Sequence, residues 1–257
     1  MKTYLLTITF ALILVNTVSA EIIEKKVEYK EGTSRLVGYF YSDSKLKDPA
    51  PGIIVFSDWM GVGPFAKERA RELVGLGYNA FVADIYGDEH QAKDQKEAGE
   101  LATKFKSDRK LFRARTQAAF DTFLSFKTVD PKRVSAIGFC FGGTASLELA
   151  RNGAALAGVV SFHGGLDTPD TSLAKNIKAK ILALHGADDP LVPEKDVAAF
   201  EAEMRSADVN WELVKYGNAV HAFTNPAAGN DKSKGVAYNE AVAKRAYQAM
   251  RDFLALL

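Results

Sequence analysis

The stretch Val134-Ser135-Ala136-Ile137-Gly138-Phe139-Cys140-Phe141-Gly142-Gly143 runs from an apolar segment suited to a strand into one suited to a helix, with a cysteine at the junction. A side chain held on so sharp a turn takes a strained backbone conformation, and the residues two before and two after it crowd together. Glycine relieves that crowding, and Gly138 and Gly142 occupy those places around Cys140. The same turn aims the sulfur at a helix N-terminus, where free N–H groups and the helix dipole favour a thiolate and any developing oxyanion. Cys140 is thus a candidate nucleophile. The competing reading is a small buried cysteine beside a glycine-bearing helix start.

On both sides of this junction, strand-like and helix-like segments alternate. Val27 to Tyr29 and Leu36 to Tyr41 predict an opening pair of strands around the turn residues Glu31-Gly32-Thr33-Ser34. Ile53-Ile54-Val55-Phe56 has the continuous apolar character of a strand buried on both faces. Pro64 suits the first position of the next helix, with Ala66, Ala70, Leu73 and Val74 on one face and Gly75 and Gly77 at its end. Ala80 to Ile85 predicts a strand; Gln91 to Phe126 is too long for one uncapped helix and should break near Ser107-Asp108. After Cys140 come a helix over Phe141 to Ala150 and strands at Leu156 to Phe162 and Ile181 to Leu184. The order closes with a helix over Pro193 to Arg205, a strand over Trp211 to Tyr216 and a helix over Tyr238 to Leu257. Such alternation implies a mostly parallel sheet with helices on both faces, here as a single domain over 21–257. Ligands of these sheets bind beyond the carboxyl ends of the strands, so polar residues just past strand ends are the candidates for chemistry.

A nucleophile needs a base, and the base an orienting acid. His221 follows the strand ending near Tyr216, and Asp188 and Asp189 follow the strand ending near Leu184. The chain order of nucleophile, acid and histidine is the one that accompanies strand-to-helix nucleophile turns in α/β hydrolases. The other histidines have weaker claims: His185 should hydrogen-bond a loop, His163 should line a strand end, and His90 lies in a charged surface stretch. Spacing among His185, Asp188, Asp189 and His221 matches no zinc pattern, so neither a metal nor another cofactor is expected.

With 33 basic and 32 acidic residues, the chain has no electrostatic case for nucleic acid or anionic membranes. Residues 1–20 read as an export signal: Lys2 gives the positive start, Tyr4 to Val15 the apolar run and Val18-Ser19-Ala20 the small residues for cleavage before Glu21. The apolar run is shorter than the roughly 20 residues of a spanning helix, which argues against a retained anchor. Periplasmic or secreted localisation is therefore expected, without stable membrane association after cleavage. In that oxidising setting the single cysteine cannot form an internal disulfide and is inert, linked to another molecule, or functional.

Three motifs together resemble the dienelactone hydrolase family, α/β-hydrolases with cysteine in place of serine: Gly138-Phe139-Cys140-Phe141-Gly142-Gly143, Asp189-Pro190-Leu191-Val192-Pro193 and His221-Ala222-Phe223. The resemblance extends over essentially the whole chain after residue 20 and implies the α/β-hydrolase fold and a Cys140–His221–Asp189 triad. It selects Asp189 over Asp188, because the family's acid precedes its Val-Pro by three residues. It also implies an oxyanion hole from the backbone N–H groups of Trp59 and Phe141, and a pocket position for Tyr86. Asp58 stands where the family has a thiol-activating glutamate, one methylene longer. The arginines that hold a substrate carboxylate in dienelactone hydrolases align with Asp88 and Asn225, neither of which pairs with an anion as arginine does. A small-molecule ester or lactone other than dienelactone is the implied substrate. Other classes of reading are a non-catalytic ligand-binding protein on the same fold and, with no second cysteine to resolve an oxidised sulfur, a thiol redox protein.

Overall fold

Ile53-Ile54-Val55-Phe56 is apolar at every position because both of its faces are covered: Ile53 and Val55 point into one core, Ile54 and Phe56 into another. The computed structural model describes residues 21–46 and 49–257, so the expected export signal at 1–20 lies outside the described residues. Strands β1 (Ile22–Glu31) and β2 (Ser34–Asp43) form an antiparallel hairpin, and β3 (Ala50–Phe56) starts the buried interior. With β4 (Asn79–Ala83), β5 (Val129–Phe139), β6 (Gly158–Phe162), β7 (Lys180–Gly186) and β8 (Trp211–Tyr216) they make one eight-stranded sheet in the order β1-β2-β4-β3-β5-β6-β7-β8. Pairings from β4 through β8 are parallel, while β2 meets both neighbours antiparallel. The alternation seen in β3 recurs in β4 and β5, where Ala80, Val82, Ile137 and Phe139 face the first core and Phe81, Ala83, Val134 and Ala136 the second.

Helices α1 (Pro64–Gly75) and α6 (Glu240–Leu254) close the first core with Ala66, Ala70 and Leu73 and with Val242, Ala246 and Met250. Helices α2 (Gln95–Ser107), α3 (Arg109–Leu124), α4 (Phe141–Arg151) and α5 (Glu194–Ser206) cover the second, which is rich in phenylalanine: Phe105, Phe112, Phe120, Phe123, Phe141 and Phe200. Full burial of such a side chain contributes about 1.5–3 kcal/mol. Among the described residues no helix is long and apolar enough to cross a membrane.

The expected break in the long helical stretch falls at Asp108, which ends α2 and caps α3 by accepting the Leu111 N–H at 2.9 Å. Helix α2 starts at Gln95 rather than near Gln91, because the Asp94 carboxylate takes the Glu97 N–H at 2.9 Å and fixes the start there. Strand β1 extends well past Val27 to Tyr29 on both sides. As an edge strand it carries Glu24, Lys25, Lys26, Glu28 and Lys30, whose charges suit an edge and hide its strand character from hydrophobic patterning.

Candidate active site

Strand β5 delivers Cys140 at φ +55° and ψ −116°, a conformation costing a non-glycine residue on the order of 1–3 kcal/mol. The turn closes because its flanks have no side chains: a Cβ on Gly138 would lie 1.8 Å from the Gly142 oxygen, and one on Gly142 would lie 2.1 Å from the Phe56 oxygen. Helix α4 then begins at Phe141 with every residue buried, so the Cys140 turn sits on a helix locked inside the molecule.

Asp189 and His221 arrive from two loops beyond β7 and β8. Asp189 is buried and accepts the Leu191 N–H through Oδ1 at 2.8 Å, leaving Oδ2 to meet His221 Nδ1 at 2.8 Å. Asp188 is exposed, so of the two neighbouring aspartates it is Asp189 that is buried against His221. The backbone of His221 is pinned on both sides, its N–H donating to the Gly235 oxygen at 3.1 Å and its carbonyl accepting the Ala237 N–H at 3.0 Å. With Nδ1 turned to Asp189, Nε2 is the ring atom left free of the carboxylate; it is buried and has no hydrogen-bond partner among the described residues. Burial opposes charge on this ring, but the Cys140 sulfur and Asp189 outweigh it and raise His221 to about 10. Such contacts are often loose without substrate and tighten in the complex.

On the other side of Cys140 the loop after β3 forms a tight turn. Asp58 Oδ1 accepts the Met60 N–H at 2.9 Å, the Asp58 carbonyl accepts the Gly61 N–H at 3.2 Å, and Tyr86 donates its hydroxyl to the Trp59 carbonyl at 2.8 Å. The Met60 and Gly61 amides are thereby used. The Trp59 N–H, like that of Phe141 at the start of α4, donates to no other group among the described residues. Burial raises the Asp58 carboxyl above its usual range, with the Met60 N–H and the nearby His221 partly offsetting it. No hydrogen bond joins Asp58 to Cys140 among the described residues. Burial, together with Cys140 and Asp58, likewise pushes the Tyr86 phenol up.

The remaining candidates separate cleanly. His90 is exposed and meets Glu97 at 3.0 Å. His185 was expected to hydrogen-bond a loop; its Nδ1 is buried without a partner among the described residues, and burial lowers the ring's pKa. Asp88 pairs with Arg35 at 3.2 Å on the surface, and Asn225 caps the Ala227 N–H at 2.9 Å, so both serve local structure and bring no cation to the cleft. Among the described residues no three His, Cys, Asp or Glu side chains cluster to hold a metal ion. His163 is more deeply involved than lining a strand end: it is buried against Cys140 and His221 and bonded to Thr224. Its place one residue past β6 was a signal for it; nothing in the sequence pointed to Thr224.

A nucleophile turn, a histidine on a buried carboxylate and two unused amides, all beyond the carboxyl ends of parallel strands, are what hydrolases of this fold assemble. The profile of the dienelactone hydrolase family matches residues 36–256. The chain belongs to the dienelactone hydrolase family. A crystal structure of a dienelactone hydrolase-like promiscuous phosphotriesterase from metagenomic libraries is similar at 40% identity and a TM-score of 0.88, covering 93% of this chain and 99% of that one. A putative carboxymethylenebutenolidase of Salmonella typhimurium is 28% identical over 84% of this chain and 81% of its own length. A probable 2-oxo-3-(5-oxofuran-2-ylidene)propanoate lactonase of Bradyrhizobium is 30% identical over 67% of this chain and 73% of its own. The α/β-hydrolase fold is thus established along with the family, and the chain is a hydrolase of that family.

Proposed function

We propose that this hydrolase cleaves small, uncharged esters or lactones through a Cys140 acyl-enzyme, with His221 as base and Asp189 as its orienting acid. The observation that carries the reading is the buried 2.8 Å contact of His221 Nδ1 with Asp189 Oδ2, which leaves Nε2 for the sulfur of Cys140. The thiolate attacks the carbonyl carbon, and the oxygen takes up negative charge against the Trp59 and Phe141 amides, each such donor being worth roughly 3 kcal/mol of barrier. The carbon–oxygen bond to the leaving alkoxide breaks as His221 gives up its proton to it. A water, deprotonated by His221, then attacks the thioester and expels the thiolate. Asp88 and Asn225 stand where dienelactone hydrolases carry substrate-binding arginines and neither side chain can itself pair with an anion, which supports an uncharged substrate over a carboxylate-bearing one. We also infer export, with residues 1–20 removed before Glu21, from the leader-like pattern of that segment.

The test compares the protein from Glu21 onward with its Cys140→Ala variant on a panel of neutral esters, lactones and thioesters. Turnover should fall in the variant by roughly 10⁴-fold or more, as when a nucleophile of a triad is removed. Retained turnover would remove Cys140 as nucleophile, and inactivity of both proteins on the whole panel would favour a ligand-binding protein.

A further inference from the structure

The strained turn at Cys140 has a partner that the three-residue triad leaves out. The geometry points to His163 as a positioning residue of this site: its imidazole holds the Cys140 backbone through a bare Nδ1, ties it to the His221 loop through Nε2–H, and buttresses the His221 ring. This inference rests on the cysteine-nucleophile reading above.

The Cys140 N–H donates to the Phe162 carbonyl at 3.0 Å and is shared with His163 Nδ1 at 3.2 Å. A backbone amide can only donate, so Nδ1 must carry no proton and the ring hydrogen must sit on Nε2. Nε2 lies 2.8 Å from Thr224 Oγ1, which accepts it. Thr224 is buried in the same loop as His221, three residues on. One imidazole therefore spans the two elements whose separation sets the distance between sulfur and base.

Ring contacts complete the clamp. The His163 ring meets the His221 ring edge to face at 5.3 Å between centroids, and meets the Phe223 ring edge to face at 5.0 Å. His163 itself sits at φ +40°, held there by its N–H on the Leu184 carbonyl at 2.8 Å. Two adjacent strained residues, Cys140 and His163, thus fix each other from neighbouring strand ends.

The groups that face this ring are Cys140 from the nucleophile turn, His221 and Thr224 from the loop after β8, and His185 from β7; Tyr247 of α6 stands behind Thr224. Burial, then the charges on His221 and His185, hold His163 well below the usual histidine range and so neutral, against an opposing pull from its own backbone carbonyl. Neutrality matters to the geometry, since a protonated Nδ1 would push away the Cys140 N–H and set a second cation against the His221 imidazolium. His163 does not touch the reacting atoms in this arrangement; it acts through Cys140 and His221.

The test uses His163→Phe, which keeps a ring of similar shape and loses both nitrogens, and His163→Asn, whose side-chain oxygen can take the place of Nδ1. Three quantities are read on each variant and on the parent protein: kcat and KM on a neutral ester, the pH dependence of Cys140 alkylation by iodoacetamide, and the thermal midpoint. For His163→Phe, kcat should fall about ten-fold or more with KM changed less than about three-fold, the split expected when geometry in the transition state is lost. The alkylation profile should shift along the pH axis, and His163→Asn should recover part of both effects. A merely packing role predicts the opposite: His163→Phe then matches the parent in kcat and alkylation profile, and the inference falls. Should His163→Phe not fold, Thr224→Val removes the acceptor of Nε2–H and must shift the alkylation profile in the same direction; an unchanged profile there also overturns it. Cys140→Ala, run alongside, separates the two levels: activity surviving in that variant sinks the cysteine mechanism, whereas its loss with an indifferent His163 sinks only the positioning role.

Discussion

Asp58 lies where burial raises its carboxyl above the usual range, and it has one backbone N–H and the nearby His221 to offset that. For an acid with a folded value above the unfolded 3.8, the ionised form lowers stability at neutral pH, and that cost disappears as pH falls through the folded value toward 3.8. Asp58→Asn keeps an oxygen for the Met60 N–H and removes the charge. It should therefore raise the thermal midpoint at neutral pH, with the gain shrinking toward acid, while lowering kcat/KM by roughly ten-fold, because the lost charge is one that favours the His221 imidazolium. Thermal scans across acid and neutral buffers beside ester turnover check both signs; a variant less stable at neutral pH contradicts the account. At this scale Cys140, Asp189 and His221 stood out in the sequence as candidates because each follows a strand end and each lies in one of the three motifs. The clamp formed by His163 and Thr224 was not, since it depends on which strand ends are neighbours in space, and β5, β6 and the β8 loop are far apart in sequence.

At the scale of elements, the helix that follows Cys140 is anchored by charges no hydrophobic pattern could reveal. Arg151, at the end of α4, is fully buried, pairs with Glu203 of α5 at 2.7 Å and with Glu148 at 3.1 Å, and donates to the Leu166 carbonyl at 3.1 Å. Glu148 is shared with Arg109 and Arg113 of α3, and Arg109 reaches Asp167 at 2.6 Å. The network thus ties α3, α4 and α5 to the loop that follows His163. Arg151→Met would leave Glu203 buried without its cation, an outcome that typically costs about 3–5 kcal/mol, whereas replacing both members with apolar residues of similar volume is often neutral. The expected result in urea denaturation is a large loss for Arg151→Met and substantial recovery in Arg151→Met with Glu203→Met. Equal losses in the two would mean that packing, not the unpaired charge, governs the site. Helix boundaries were readable where a side chain caps them, as at Asp108, and the sequence hid this network because buried arginine and glutamate look like surface residues until their partners are known.

For the whole molecule, the alternation of strands and helices was enough to predict a parallel sheet covered on both sides, and the period-two split of β3, β4 and β5 between two cores is the physical reason it could be read. What lies before Ile22 bears on where the protein works. Glu21 is already part of the fold: its carbonyl accepts the Ser44 N–H at 3.0 Å, its side chain accepts the Ser44 hydroxyl at 2.9 Å, and its N–H donates to Asp43 Oδ1 at 3.1 Å. Cleavage between Ala20 and Glu21 would turn that N–H into an ammonium beside the Asp43 carboxylate and leave no slack chain ahead of β1. An exposed pair of this kind is worth about 0–1 kcal/mol, and it should be present below the α-amino value of roughly 8 and fade above it. Intact mass of the protein recovered from the periplasm or medium should begin at Glu21. In that product, Asp43→Asn should lower the thermal midpoint slightly at neutral pH and not at pH values well above the α-amino range. Recovery of the chain with residues 1–20 attached, in the membrane fraction, would instead make that segment an anchor and place the hydrolase at the membrane surface.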